Sequence, residues 1–229
     1  MSTTHTEIIM LLDRSGSMAS IADDMIGGFN AFIAEQRSQG TDASVSLYQF
    51  DDRFTEVYVG KPIAEVGPLE LHPRGMTALL DAIGRSVSET RARIAAKPAG
   101  ERPGAVIFGI ITDGLENASR ELKHADVKKI IERQEAAEDW TFMYLGANQD
   151  AIEVGAGLGI SRERSMTYDP RNVDAAMDAF AGSVSMLREH VAAGAPMVDA
   201  RVAAAYSDED RMAAMAGKRA KKPTGRPAR

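Results

Sequence analysis

The sequence contains no cysteine in its 229 residues. Disulfide bonds and thiolate metal sites are therefore excluded, and any metal ion must be held by oxygen or histidine ligands. Long hydrophobic runs are also lacking: the first apolar run, from Ile8 to Leu12, stops at Asp13, well short of a signal-peptide core or a membrane span. No basic segment precedes this run. We therefore expect a cytoplasmic protein that does not insert into a membrane.

Charge is unevenly distributed along the chain, with an excess of acidic residues before the C-terminus. The formal net charge is −6, yet seven basic residues and no acidic one lie from Arg211 onward. An acidic body argues against a nucleic-acid-binding face, and a basic terminus is typical of a disordered, solubilising tail that could touch polyanions. We predict one domain over residues 1–195 and an extension over residues 196–229, with a short helix capped by Ser207–Asp210 before the tail.

Short apolar runs alternate with segments of helical periodicity, which predicts an α/β fold. The runs with strand character are Glu7–Asp13, Ala105–Asp113, Thr141–Ala147 and the shorter Ser165–Tyr168. Continuous apolar runs are typical of strands buried on both faces of a parallel sheet. Val45–Phe50 and Phe54–Val59 instead predict a hairpin. We therefore expect a doubly wound, mostly parallel, Rossmann-like sheet with one antiparallel edge strand and helices on both faces.

Two of the predicted strands end in aspartate, at Asp13 and Asp113. Right-handed crossovers place the carboxyl ends of parallel strands at one edge of the sheet, where ligands bind. Ser15 and Ser17 follow Asp13 at alternate positions, so one carboxylate and two hydroxyls can point to the same spot. This all-oxygen set suits Mg²⁺ or Mn²⁺ better than zinc or copper, and Ca²⁺ is compatible with it.

A wider pattern resembles a known family. Three motifs follow one another along the chain: Asp13-x-Ser15-x-Ser17, Gly75-Met76-Thr77 and Thr112-Asp113-Gly114. Together they resemble the metal-ion-dependent adhesion site of von Willebrand factor A domains, over roughly residues 5–190. The segment Leu145–Asp150 is similar to small bacterial and phage members of that family.

The resemblance implies a role for each of five residues. Ser15 and Ser17 would be direct hydroxyl ligands, and Thr77 a third hydroxyl that moves in or out of the inner shell. Asp13 and Asp113 would bind directly or through water. The implied function is a metal-dependent module that engages an acidic group of a partner protein. An accessory subunit of an AAA-type ATPase system is the alternative that the family also implies.

An enzyme is the less favoured interpretation. The position two residues after Asp13, where an aspartyl nucleophile of the haloacid-dehalogenase type needs a second aspartate, is Ser15. The sequence has no Gly-x-Ser-x-Gly elbow or Gly-x-x-x-x-Gly-Lys phosphate loop, and no general base accompanies Ser15. We therefore expect no catalytic residues, and a metal-dependent hydrolase stays the remaining alternative.

The same residues also have structural interpretations. Ser15, Ser17 or Thr77 could cap a helix, and Asp113 could form a turn. Asp51 and Asp52 are interpreted as loop residues of the hairpin, with a role at the rim of the cleft as the alternative. His72 is interpreted as a surface or loop residue that, with Arg74, could instead line the cleft.

Overall fold

The computed structural model describes residues 4–137 and 139–216. Its strands are β1 (Thr6–Asp13), β2 (Ala43–Phe50), β3 (Phe54–Pro62), β4 (Ala105–Thr112), β5 (Trp140–Ala147) and β6 (Ser165–Tyr168). They form one sheet in the order β3-β2-β1-β4-β5-β6. All neighbours are parallel except β2 and β3, which are antiparallel. The predicted fold class is confirmed, with β3 as the antiparallel edge strand.

Helices cover both faces of this sheet. They are α1 (Ala22–Ser38), α2 (Leu79–Ala96), α3 (His124–Ala137), α4 (Ala151–Gly157), α5 (Val173–Ala192), α6 (Met197–Ala203) and α7 (Asp208–Met215). A 3-10 helix, Gly16–Ser20, directly follows β1. Successive side chains of a strand point to opposite faces, so a central strand feeds two hydrophobic cores.

Strand β1 shows this division most clearly. Met10 packs in the core that includes helices α1 and α5, where the rings of Phe32 and Phe180 stack with centroids 5.0 Å apart. Leu11, the next residue, packs in the opposite core with Ile83 of α2. Every residue of β1, β2, β4 and β5 is buried. Because both faces of the sheet are covered, we expect ligands to bind at the ends of its strands.

The residues after α5 pack on the domain. Helices α6 and α7 contribute the fully buried Ala200 and Ala214 to the same core as α5. Ser207 and Asp210 form a reciprocal capping box at the start of α7, as the sequence predicts. The division at residue 195 stays a prediction, and residues 217–229, which hold most of the predicted basic tail, lie outside the described residues. Within the described part of the chain, no helix has the length and apolar character to cross a membrane.

Candidate metal centre

The parallel pairing of β1 and β4 brings two aspartates to the same edge of the sheet. Asp13 is the last residue of β1, and Asp113 follows the last residue of the neighbouring β4. Asp13 is fully buried and Asp113 is 3% exposed. Among the described residues, no arginine, lysine or histidine side chain donates to either carboxylate. The two negative groups are therefore buried without a basic partner.

Hydroxyl and amide groups surround both carboxylates. Asp13 accepts hydrogen bonds from the Ser15 backbone N–H and from the Thr112 hydroxyl, each at 2.6 Å. The Ser17 hydroxyl donates to Asp113 Oδ1 at 2.5 Å and lies 3.0 Å from the Ser15 hydroxyl. The side-chain oxygens of Asp13, Ser15, Ser17 and Asp113 thus form a row from β1 to the loop after β4. Ser17 is exposed, so this row reaches solvent on one side.

Thr77 reaches the same place from the loop before α2. A Cβ atom built on Gly114 would lie 3.3 Å from Ser17 Oγ and 3.5 Å from Thr77 Oγ1. The two hydroxyls therefore face one point beside the glycine, whose missing side chain leaves the space open. The Thr77 N–H donates to Asn117 Oδ1 at 2.9 Å, which fixes the threonine against the loop after β4. All five predicted site residues are thus brought together at one edge of the sheet.

Helix capping does not account for two of these hydroxyls. Ser15 is the N-cap residue of the 3-10 helix, but its side chain makes no capping hydrogen bond. The N-cap residue of α2 is Ala78, one position after Thr77, and it also lacks a side-chain cap. The hydroxyls of Ser15 and Thr77 are thus directed to the shared edge and not to helix N-termini.

Burial changes the acidity of both aspartates. It raises the pKa of Asp13 to about 6, although hydrogen bonds from Thr112 and Ser15 act in the opposite direction. The charge of Asp113 adds to the increase. Burial also raises the pKa of Asp113, against a lowering by the Ser17 hydroxyl. Both shifts express the cost of two buried negative charges, a cost that a nearby cation removes.

The donor set fits a hard divalent cation. It consists of carboxylate and hydroxyl oxygens, which Mg²⁺ and Mn²⁺ prefer and which Ca²⁺ also accepts. No cluster of three or more histidine or acidic side chains able to hold a metal ion occurs within residues 4–137 and 139–216. In the described chain, a metal site therefore needs neutral hydroxyl ligands in addition to its carboxylates. Such hydroxyls are present at the carboxyl ends of β1 and β4.

The chain matches no protein family model, and no curated protein matches it either. Solved structures do match: proximal thread matrix protein 1 from the mussel byssus, at 16% identity and a TM-score of 0.54, over 79% of this chain and 46% of that one. The ArnB paralogue VWA2 from Sulfolobus acidocaldarius also matches, at 16% identity and a TM-score of 0.51, over 79% and 46% of the two chains. The chain has the von Willebrand factor A fold.

A third similar structure is a von Willebrand factor type A protein from Catenulispora acidiphila, at 16% identity and a TM-score of 0.50, over 82% of this chain and 42% of that one. This chain spans less than half the length of each of the three. At identities this low, structural similarity shows the fold alone. The predicted resemblance is confirmed at that level.

Within this von Willebrand factor A fold, Asp51 connects the loops that carry the predicted site residues. It follows β2, and its side chain is fully buried. Arg14 Nε and Arg74 Nε both donate to Asp51 Oδ2, at 3.0 and 2.8 Å. Its backbone carbonyl accepts from the N–H of Ala78 at 3.0 Å. Although burial acts to raise the pKa of Asp51, the hydrogen bond from Arg74 and the other contacts lower it below the usual range.

The sequence interpretation of Asp51 as a simple hairpin residue missed this role. The available signal was its position directly after a buried strand, the same position that Asp113 has after β4. Backbone hydrogen bonds extend the connection: Gly16 N–H donates to the Gly75 carbonyl at 3.1 Å, and Arg74 N–H to the Arg14 carbonyl at 2.8 Å. The loop that carries Thr77 is thereby fixed to the loop that carries Ser15. His72, predicted as a possible cleft residue, is exposed.

The loop after β5 supports the site from the other side. Asn148 Nδ2 donates to the Asp113 carbonyl at 3.3 Å, and Gln149 Nε2 donates to the Gly114 carbonyl at 3.2 Å. Asn148 has a left-handed backbone conformation, φ +56°, which asparagine tolerates better than most residues. These contacts give a structural role to a segment for which the sequence suggested none: it positions the loop after β4.

Proposed function

We propose that this chain is a divalent-cation-dependent protein-binding module. The cation would be held by Asp13, Ser15, Ser17, Thr77 and Asp113. One observation carries the proposal: two buried carboxylates share an edge with three hydroxyls and have no basic side chain to neutralise them. A buried charge without a counter-ion costs on the order of several kcal/mol. Without a bound cation, this arrangement therefore lowers the stability of the fold.

The arrangement supports recognition of an acidic group. When bound, a divalent cation would supply an electron-poor centre that accepts another oxygen ligand. The two carboxylates at most balance its charge, and the three hydroxyls are neutral. Ser17 lies on the exposed side of the cluster, so an aspartate or glutamate of a partner can approach there. Without the cation, Asp13 and Asp113 would repel the same group.

The surroundings of Ser15 favour binding over hydrolysis. Its hydroxyl lies 3.0 Å from that of Ser17, and no histidine or lysine in the described chain is hydrogen-bonded to either. A nucleophilic serine needs an adjacent base to accept its proton. No surface of the described residues indicates an AAA-type ATPase as the partner. The cytoplasmic location stays a prediction.

The metal assignment is tested by isothermal titration calorimetry with Mg²⁺, Mn²⁺ and Ca²⁺. We expect Asp13→Ala to abolish binding while the circular dichroism spectrum stays that of the wild type. Asp52→Ala is the matched control, because Asp52 is an exposed aspartate next to Asp51 at the same edge of the sheet. Unchanged affinity in Asp13→Ala would reject the site.

The recognition step is tested by affinity capture from the native host in Mg²⁺ and in EDTA. EDTA should abolish the complex. Thr77→Ala should weaken it while retaining much of the metal affinity, because the carboxylates remain. A partner whose binding survives both EDTA and Asp13→Ala would show that this site is not the recognition surface.

A further inference from the structure

Two exposed apolar side chains flank the candidate metal centre. Met76, which precedes Thr77, is 52% exposed, and Leu115, which follows Gly114, is 60% exposed. Their loops adjoin, because the backbone N–H of Asn117 donates to the Thr77 carbonyl at 3.0 Å. The remaining exposed large apolar side chains of the described chain lie on β3, α5, α6 and α7: Val57, Met186, Val198, Val202, Met212 and Met215. Met76 and Leu115 are therefore the two large apolar side chains that are exposed beside the candidate metal centre.

An apolar cleft of about 240 Å³ opens beside Leu115. Its wall is lined by Leu79 of α2, by Val154 of α4 and by Leu158, the residue that follows α4. Leu79 and Leu158 belong to the hydrophobic core on that face of the sheet, and Val154 packs against it. The core thus reaches the surface next to the candidate metal centre, where it can receive another apolar group.

Two of the three polar side chains that line this cleft, Glu116 and Gln149, are engaged within the protein, and the third, His124, is exposed. Glu116 accepts hydrogen bonds from the backbone N–H groups of Leu80, Ala118 and Ser119. Gln149 donates to the Gly114 carbonyl and accepts from the Tyr144 hydroxyl. Since these side chains are committed to internal contacts, the cleft offers apolar contact more than hydrogen bonding. An aliphatic side chain suits such a cleft.

We infer that the partner segment carries an aliphatic side chain close to its acidic residue. The acidic residue would bind at the metal centre while the aliphatic one packs on Leu115 in the cleft, with the flexible Met76 adjusting on the opposite side. The inference rests on the proposed function, because the acidic residue brings the segment to this edge. An acidic segment with only polar neighbours would leave Leu115 and the cleft exposed to water.

The test is a selection of displayed random peptides on the immobilised full chain in Mg²⁺. The wild type should enrich peptides that have Asp or Glu with Leu, Ile or Met within a few positions. Leu115→Ser should keep the acidic preference and lose the aliphatic one. Replacing the aliphatic residue of a selected peptide by Ser should weaken its binding to the wild type by about tenfold or more, the effect of losing one buried aliphatic side chain.

Val57→Ser is the matched control, because Val57 is an exposed apolar residue of β3. It should select the same peptides as the wild type, and all three proteins should bind Mg²⁺ equally. Enrichment of acidic residues without aliphatic neighbours would overturn this inference and leave the proposed function intact. Aliphatic preference that persists in Leu115→Ser would also overturn it. Absence of Mg²⁺-dependent acidic enrichment would contradict the proposed function, and this inference with it.

Discussion

Two buried aspartates at one edge of the sheet have different partners. Asp51, after β2, receives hydrogen bonds from Arg14 and Arg74 and has a lowered pKa. Asp13, at the end of the neighbouring β1, receives a backbone amide and a threonine hydroxyl, and burial raises its pKa to about 6. Both side chains are inaccessible to solvent. Burial dominates the pKa shift of Asp13, whereas at Asp51 the hydrogen bonds and charges of its neighbours together outweigh burial.

The two kinds of aspartate differ in whether the fold itself supplies a positive counter-ion. The fold supplies the counterions of Asp51 from its own loops, and the resulting ion pairs hold those loops together. The fold supplies no cation for Asp13 and Asp113 from the described residues, so their charge is available to a cation from solution. A site that is costly to the fold alone is typical of residues retained for binding.

The largest expected effect is the loss of stability in Asp51→Ala. The substitution leaves the guanidinium of Arg14, whose side chain is 10% exposed, without its carboxylate. Removing one partner of a buried ion pair costs about 3 to 5 kcal/mol, and we expect the free energy of unfolding in urea to fall by that order. Asp52→Ala, at the exposed neighbouring position, should change it by less than about 0.5 kcal/mol.

Equal effects of the two substitutions would break the contrast. They would mean that the contacts of Asp51 contribute no more than those of an exposed turn residue. The Arg74 contact alone cannot give a large effect, because the Arg74 side chain is 55% exposed and solvent screens it.

The second prediction uses the pH dependence of stability in EDTA. Asp13 has a pKa of about 6 in the folded state and about 4 unfolded, so between these values the folded chain retains a proton that the unfolded chain loses. Its contribution to the free energy of unfolding therefore falls as pH rises from about 4 to 6, by up to roughly 3 kcal/mol. Asp51, with a lowered pKa, contributes in the opposite sense: its stabilisation is lost as pH falls below about 4.

Asp13→Asn isolates the Asp13 contribution. Urea unfolding of the wild type and of this variant should give free energies that converge near pH 4 and diverge towards pH 7, with the variant the more stable. Parallel pH profiles for the two proteins would show that Asp13 is ionised at no cost to the fold.

The sequence predicted which residues lie together at this edge of the sheet, but not the contacts that hold their loops. Asp13 and Asp113 could be placed together because each ends an apolar run, and parallel strands align their carboxyl ends. The place of Asp51 at this edge could be predicted in the same way, since it follows the buried strand β2, but its partners could not. Its partners Arg14 and Arg74 come from two other loops, and the three meet only once the order β3-β2-β1 is fixed.

The C-terminal helices show a similar limit. The capping box at Ser207 was predictable, because a cap is formed by residues three positions apart. The packing of Ala200 and Ala214 in the core was not, because small side chains at these positions give little periodic signal. Local patterns thus predicted the elements, whereas long-range contacts decided which loops and helices belong to one core.

The third prediction is that Mg²⁺ stabilises the wild type at neutral pH. A ligand that binds only the folded chain at one hundred times its dissociation constant adds about 2.7 kcal/mol to the free energy of unfolding. For a chain of this size, the melting temperature should rise by roughly 5 to 10 °C. The increase should vanish in Asp13→Asn and persist in Asp52→Ala. Thermal scans in which Mg²⁺ stabilises Asp13→Asn as much as the wild type would place the cation elsewhere.

The smallest expected effect concerns Gly114→Ala, which alters the space between the hydroxyls without removing a ligand. The new Cβ would lie 3.3 Å from Ser17 Oγ and 3.5 Å from Thr77 Oγ1. The first distance is tight, so Ser17 must shift by a few tenths of an ångström. Gly114 is not among the glycines with positive φ, so alanine fits its backbone, and stability should change by less than about 1 kcal/mol.

The same methyl group should weaken metal binding, because it occupies space that Ser17 and Thr77 face. We expect an affinity loss of several-fold for Mg²⁺ by calorimetry, on the order of 1 kcal/mol, with a melting temperature in EDTA within about 4 °C of the wild type. Gly182→Ala in α5 is the control, since no atom lies within 4 Å of its added Cβ. Wild-type Mg²⁺ affinity in Gly114→Ala would mean that the cation does not lie between Ser17 and Thr77.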